Sequence, residues 1–330
     1  MAVGLLTTSL FVTHLLAQLP AGRGADRFGA RTVALAAIAA AVAGNALLVA
    51  DDVFSLALLG RAVVGLGSGA GFIAGLDLVR AGGGGRVLQG FYGGATMAGG
   101  GLALMIVPPL TDAAGWRAPY WSAAVLALLA AIPTAAATGL QRIGHVGERV
   151  VRDPRLLPLS VLQAATFGLA VIAANWVVPL LERQGTSSAA AGLAGGLILF
   201  AGILTRPAGG VLARAVRTSR LVAFALIGVA AGSAALAVGG PLGLSAAGAL
   251  AFGLSAGLPF AIIFVAAQHM RPDAPGAAVA LVNGVAILTI LAGIPLAGLA
   301  FELPGDGRLA FVGIAALSAS ALFALRRARL

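Results

Sequence analysis

Residues 22–31 read Gly22-Arg23-Gly24-Ala25-Asp26-Arg27-Phe28-Gly29-Ala30-Arg31, a polar segment held between apolar runs at 3–20 and 32–50. Each run is close to the roughly 20 residues that a helix needs to cross a bilayer. The pattern is therefore a span, a charged hinge and a second span. Working outward, apolar runs between charged or Gly/Pro-rich breaks give nine more candidates, at 54–79, 87–110, 118–138, 157–180, 188–212, 221–239, 242–268, 275–300 and 308–325. The composition agrees: of 330 residues 60% are hydrophobic, 10% are charged and none is cysteine, with mean hydropathy +1.02. A soluble domain carries about 25% charged residues, so ordinary soluble, disordered and disulfide-framework chains are excluded. The first run has no basic leader and no convincing cleavage site, and reads as a span rather than a signal peptide. The fold class is all-α, a polytopic membrane protein with eleven transmembrane helices.

The formal net charge is +10, and all 21 basic residues are arginine. In a soluble protein that balance would point to nucleic acid, whereas in a membrane chain arginines collect in cytoplasmic loops. Alternating the connections puts seventeen arginines and five acids on one side, three arginines and six acids on the other, and Arg61 inside a span. Topology thus accounts for the basic excess without a nucleic-acid partner. The C-terminus is expected in the cytoplasm and, as the chain stands, the N-terminus outside, in a multi-pass protein of the cell inner membrane. Residues 1–138 form an N-terminal bundle of five helices and 157–330 a C-terminal bundle of six. Residues 139–156, with Arg142, Glu148, Arg149, Arg152, Asp153 and Arg155, read as an amphipathic cytoplasmic loop; a regulatory segment is the other reading. Pro20-Ala21-Gly22 followed by Arg27 recurs as Pro207-Ala208-Gly209 followed by Arg214, one copy per half, as repeated halves would give.

Segment 22–31, with its glycine, Ala25-Asp26-Arg27, Gly29 and Arg31, resembles the cytoplasmic signature of the major facilitator superfamily (MFS). Arg61-Ala62-Val63-Val64-Gly65-Leu66-Gly67-Ser68-Gly69 is similar to its fourth-helix pattern, and Gly115-Trp116-Arg117 to another of its recurring pieces. The resemblance implies an MFS-type two-bundle fold and a cytoplasmic gate of Gly22, Asp26, Arg27, Gly29, Arg31 and Arg80. Gly22 and Gly29 would allow a tight turn, and Asp26 would pair with Arg80 and face the helix that starts near Pro275. In that family the signature follows the second of twelve helices. The eleven spans are therefore expected to be helices 2 to 12, the first being absent from this chain. In the second copy Ala213 stands where the first has Asp26.

A charge within the hydrocarbon marks a pathway or a buried pair. Arg61 is the clearest case: either it faces a cavity and attracts an anion, or it braces helices or snorkels outward. Arg206-Pro207-Ala208-Gly209-Gly210 resembles the eighth-helix arginine segment of nitrate/nitrite porters, and a distant similarity to cyanate-type porters accompanies it. The partner arginine of those porters corresponds to Gln18 here, which halves the charge available to nitrate. The other reading of Arg206 is an interfacial anchor. Asp77 and Arg80 read as an (i, i+3) ion pair. Gln18, Asn175, Trp176 and Asn283 complete the substrate-binding candidates, with Gln163 and Tyr92 near the cavity. Interhelical amides are also commonly structural. His14 reads as a packing residue or a proton relay.

Gly82 to Gly85 read as a turn. Gly65, Gly67, Gly69 and Gly71, and the run Gly99 to Gly101, suit close helix crossings. No strand precedes these glycines and no Lys-Ser/Thr pair follows, so nucleotide binding is excluded. His14, His145 and His269 are far apart, and nothing has the spacing of a metal site or a catalytic set; no enzyme activity, metal or cofactor is expected. The expected function is secondary transport of a small solute, with a small or organic anion favoured, by alternating access; proton or ion coupling stays open. The alternative is a truncated, transport-incompetent protein that binds a ligand or partner. The implied partners are the lipid bilayer and a small-molecule substrate.

Overall fold

In hydrocarbon a backbone amide has no water to bond, so an apolar chain must satisfy its amides within helices. The computed structural model describes residues 2–138 and 150–330. Its helices are α1 (Ala2–Phe28), α2 (Ala30–Ala50), α3 (Phe54–Ala81), α4 (Arg86–Ala114), α5 (Ala118–Ala136), α6 (Leu157–Gln163), α7 (Leu169–Arg183), α8 (Ser188–Leu212), α9 (Thr218–Val238), α10 (Leu242–Ala256), α11 (Phe260–Met270), α12 (Pro275–Ala300) and α13 (Arg308–Leu325). Among the described residues they make eleven spans long and apolar enough to cross a membrane. Two spans are interrupted. A π-turn at Ala164–Gly168 separates α6 from α7, with the Leu169 N–H reaching back to Ala164 O, and a turn at 257–259 separates α10 from α11.

The first hinge differs from its sequence reading. The first helix does not stop at residue 20 but carries Pro20 inside it and runs to Phe28. Only Gly29, at φ 90°, makes the turn into α2. Gly22 is a helix residue with another task, described below. Of the loop read at 139–156, residues 139–149 lie outside the described residues. The rest forms two 3-10 turns, Val150–Arg152 and Pro154–Leu156.

By contacts the chain divides into two compact units. The first comprises Met1–Gly84, Leu102–Asp153 and Gln268–Gly284; the second comprises Gly85–Gly101, Pro154–Ala267 and Val285–Leu330. Two helices, α4 and α12, contribute a part to each.

In the first unit α3 packs on α1 and α2, and α2 on α5. The glycine ridge of α3 explains how. Side chains added at Gly65 and Gly69 would run into α1, at Leu10 O and His14 O, whereas one at Gly67 would lie 2.7 Å from Ala37 O of α2. Residues two apart point about 200° apart on a helix, so one small-residue ridge serves two neighbours at backbone distance. In contrast α5 buries only Ala124 and exposes Leu126, Leu128, Leu129 and Ile132, the surface a helix offers to lipid.

In the second unit α9 packs on α10 and α13, and α8 on α7 and α10. Gly232 and Gly248 meet at the α9–α10 crossing, where a Cβ on Gly232 would lie 2.6 Å from Gly248 O. Gly99 and Gly100, read as crossing residues, face open space instead. The contacts of α4 come one to three turns earlier, at Gly90, Gly93 and Gly94.

Candidate functional site

The arginine-rich end of the first unit is built around Asp26. At the start of α12, Pro275 fixes the first helical φ and leaves the following N–H groups without intrahelical partners. Asp26, 0% exposed, fills that gap: its carboxylate accepts from Gly276 N–H at 2.8 Å and Ala277 N–H at 2.9 Å. A carboxylate at a helix N-terminus satisfies orphan donors and the positive end of the helix dipole together. Two glycines bring it within reach. A Cβ on Gly22 would overlap the Gly276 carbonyl, and one on Gly276 would stand 2.7 Å from Gly22 O. Gly22 is thus the point where α1 and α12 touch backbone to backbone. Its repeat counterpart Gly209 does the same in the second unit, where a Cβ would overlap Leu258 O.

The other gate candidates stand apart from Asp26. Arg80 donates to Asp77, its (i, i+3) neighbour, rather than to Asp26. Arg27 is exposed and lies over the Phe28 ring. Arg31 donates to Ala137 O at 3.2 Å, tying the start of α2 to the end of α5. A contact that the sequence did not reveal lies just before α12. Arg271 grips Asp273 at 2.6 and 2.8 Å and Asp153 at 3.5 Å. The hydrogen bond that Arg271 donates to Asp273, the largest influence, holds its guanidinium above its usual pKa. Its spacing was legible only as loop charge.

One turn and more further into α1 and α12, Gln18 and Asn283 meet. The Asn283 amide donates to Gln18 Oε1 at 3.1 Å, both residues being 1% exposed. Among the described residues Gln18 Nε2 and Asn283 Oδ1 have no hydrogen-bond partner. Arg61 lies elsewhere in this unit, half-buried in a cleft of about 540 Å³ lined also by Asp51, Asp52, Phe54, Trp116 and Tyr120. Of that lining, Asp52 is paired with Arg117 at 2.8 Å.

Arg206 belongs to the second unit and is 4% exposed, so it is no interfacial anchor. Its Nη1 donates to Gly93 O at 2.8 Å and Thr96 Oγ1 at 3.1 Å, both on α4. Its guanidinium lies 4.2 Å over the Phe260 ring and 5.2 Å from that of Phe167. Glycine again permits the approach: a Cβ on Gly90 would stand 2.8 Å from Pro207 Cα, and one on Gly94 2.7 Å from Ile203 O. Among the described residues no carboxylate pairs with Arg206, and its Nε and Nη2 donate to no protein acceptor. Arg206 borders a cavity of about 20 Å³, room for a water, lined also by Thr166, Phe167, Met97 and Gly257 among others. The π-turn supplies Thr166 and Phe167 to this wall, a feature that no composition signal marks. The neighbouring Gln163 is 0% exposed, and among the described residues neither of its amide atoms has a hydrogen-bond partner.

The two remaining candidates are occupied. Asn175 is exposed and donates to Val171 O of its own helix. Trp176 donates to Ile294 O at 3.0 Å, stacks on Phe301 at 4.7 Å and lies against Gly298. Trp176 is engaged in packing α7 on α12, and Asn175 bonds within its own helix.

The family model described as Major Facilitator Superfamily matches residues 1–283. Among solved structures, an asparagine-to-alanine variant of the E. coli fucose:proton symporter FucP aligns at 16% identity and TM-score 0.78, covering 100% of this chain and 91% of that one. FucP in its outward conformation aligns at 17% identity and TM-score 0.77, covering 99% and 90%. The human organic anion transporter MFSD10 (TETRAN) aligns at 17% identity and TM-score 0.78, covering 98% and 83%. No curated protein sequence matches the chain.

Proposed function

The chain belongs to the major facilitator superfamily, and we propose that it is a secondary transporter carrying a small solute with an anionic group by alternating access. The observation that carries this reading is Arg206. A guanidinium withdrawn from water without a carboxylate is costly, and the cost falls when an anion meets its free Nε and Nη2. Phe167 and Phe260 hold the guanidinium plane by cation–π contact and leave its remaining N–H edge to the solute. In the present conformation the cavity is water-sized, so the solute enters as α4 and α8 part. That movement also frees Nη1 from Gly93 and Thr96. The two bundles, 1–138 and 157–330 with the loop 139–156, are proposed as the moving bodies. The arginine-rich helix ends and the C-terminus face the cytoplasm and the N-terminus faces outward, in an inner membrane. On that side Asp26 latches α1 to α12, with Gly22 as the contact point and Gly29 as the turn.

Gln18 and Asn283, with one donor and one acceptor to spare, are placed to greet a polar group of the solute. Arg61, in its own cleft with Asp51 and Asp52, is proposed as an entry site rather than the principal one. Proteoliposome uptake and counterflow of gluconate, lactate and nitrate test the reading, nitrate being the anion that the porter resemblance suggests. Wild type takes up at least one of them, and Arg206→Ala and Arg206→Lys lose uptake by about 100-fold or more, the loss of one charge-assisted anion contact of about 3 kcal/mol. Uptake that survives Arg206→Ala removes the anion-site assignment. Binding without uptake would instead favour a ligand-binding protein.

A further inference from the structure

Six ionisable side chains lie more than one helical turn inside the spans among the described residues: His14, Arg23, Arg61, Asp77, Tyr92 and Arg206. Guanidinium and phenol groups are ordinarily protonated across the physiological range and serve poorly as proton carriers. Asp77 is tied to Arg80. Asp26, within one turn of its helix end, is committed to two α12 N–H groups. One of the six is left that lies outside any salt bridge or helix cap and can offer a lone pair to a proton.

That group is His14, twelve residues along α1 from Ala2 and so about 18 Å into the helix. The geometry around it is specific. Its Nδ1 lies 2.9 Å from Ser68 Oγ on α3. Ser68 has a single hydrogen, which it donates to Gly65 O at 3.0 Å. Nδ1 therefore carries the ring proton and donates to Ser68 Oγ, which leaves a lone pair on Nε2. Among the described residues Nε2 has no protein partner, and the residue is half-buried rather than sealed. Gly65 and Gly69 keep α3 against this stretch of α1, where any side chain would overlap Leu10 O or His14 O. Serine and imidazole are thus held in register by backbone contact.

The charges on the elements packed around His14 are few. On α3, Arg61 is seven residues outward of Ser68 on the same stripe, and Asp77 and Arg80 lie nine and twelve residues inward. On α1, Arg23, Asp26 and Arg27 lie nine or more residues inward. In the first unit α2 carries Arg31 at its start and precedes Asp51, and Pro275 to Gly284 of α12 carry none. Among the described residues no acid forms an ion pair with the imidazole.

Building on the transporter reading, we propose that His14 is the proton-binding site that couples transport to a proton gradient. A proton from the outer side adds to the Nε2 lone pair, giving an imidazolium that keeps its Nδ1–H bond to Ser68. The same proton leaves from Nε2 toward the cytoplasm after the conformational change. One proton moves per cycle, no other bond is made or broken, and co-transport with a monoanion moves no net charge.

The test uses the full chain in proteoliposomes with pyranine trapped inside, and whichever of gluconate, lactate or nitrate the wild type exchanges. Wild type should accumulate that anion when the interior is alkaline, acidify the lumen as it does so, and ignore an imposed potassium-diffusion potential. His14→Gln should lose accumulation and proton entry by about tenfold or more while keeping counterflow at equal pH within about threefold. Ser68→Ala, which frees the ring, should keep accumulation but move its pH profile. Full accumulation by His14→Gln, equal loss of counterflow and accumulation in it, or an unmoved profile in Ser68→Ala overturns the proposal. A wild type that exchanges none of the three anions refutes the underlying anion-transport reading instead, an outcome that counterflow alone reveals.

Discussion

Replacing Asp26 by asparagine changes one atom and tests whether this side chain holds α1 to α12. The carboxylate accepts two N–H groups at 2.8 and 2.9 Å. Asparagine keeps one acceptor, now uncharged, and turns an NH2 toward the other N–H. One charge-assisted bond is lost and a buried donor is left unpaired, together about 2–4 kcal/mol. At 1.4 kcal/mol per tenfold, the separated arrangement gains about 30- to 1,000-fold in population. The chain has no cysteine, so a single introduced thiol reports without background. Ala21→Cys sits on the buried face beside Gly22, where Ala21 is 6% exposed. In inside-out vesicles an impermeant maleimide should label it faster in the Asp26→Asn background by a comparable factor. Arg23→Cys, already exposed, should label equally in both. A change of less than about threefold at position 21, well short of the loss worked out above, refutes the view that Asp26 keeps these helices together.

Gly90→Ala should lower the melting temperature in detergent, because its Cβ meets the α8 backbone at Pro207 and Arg206; overpacking of this kind costs about 1–3 kcal/mol. Gly99→Ala, facing open space, should leave the melting temperature unchanged, and equal shifts in the two would contradict the α4–α8 crossing. Trp176→Phe removes the hydrogen bond to the Ile294 carbonyl and should cost about 0.5–1.5 kcal/mol; Trp176→Ala should cost about 3–5 kcal/mol. Both are read by thermal unfolding, with counterflow retained in the phenylalanine variant.

Span number and the MFS character were legible because hydropathy and charge placement are additive along the chain. The positions of individual contacts were not, because they depend on which faces meet. The sequence offered Gly22 as a turn residue, and Pro20 made that reading natural. The turn is made by Gly29 alone, while Gly22 is spent on letting α12 approach. Asp26 was foreseen opposite the start of α12, and two N–H groups meet it there. Its expected partner Arg80 is taken by Asp77, nearer along the same helix. The sequence left Arg206 open between an anion contact and an interfacial anchor; the structure buries it, and its aromatic neighbours arrive from residues 167 and 260, a separation no local pattern encodes. The run Gly99 to Gly101 looked like a crossing and is not one at Gly99 or Gly100, since small residues permit close approach without requiring it.

The π-turn at Ala164–Gly168 has a consequence for the length of the chain at that point. It holds one residue more than a regular helix would, and each residue is worth about 100° of rotation. Shortening the stretch by one would give tidier hydrogen bonding and swing Trp176 away from Ile294, or Phe167 away from Arg206, by more than a quarter circle. Insertions and deletions here should therefore be tolerated far less well than substitutions at its alanines. What is kept there is a phase angle more than a set of side chains.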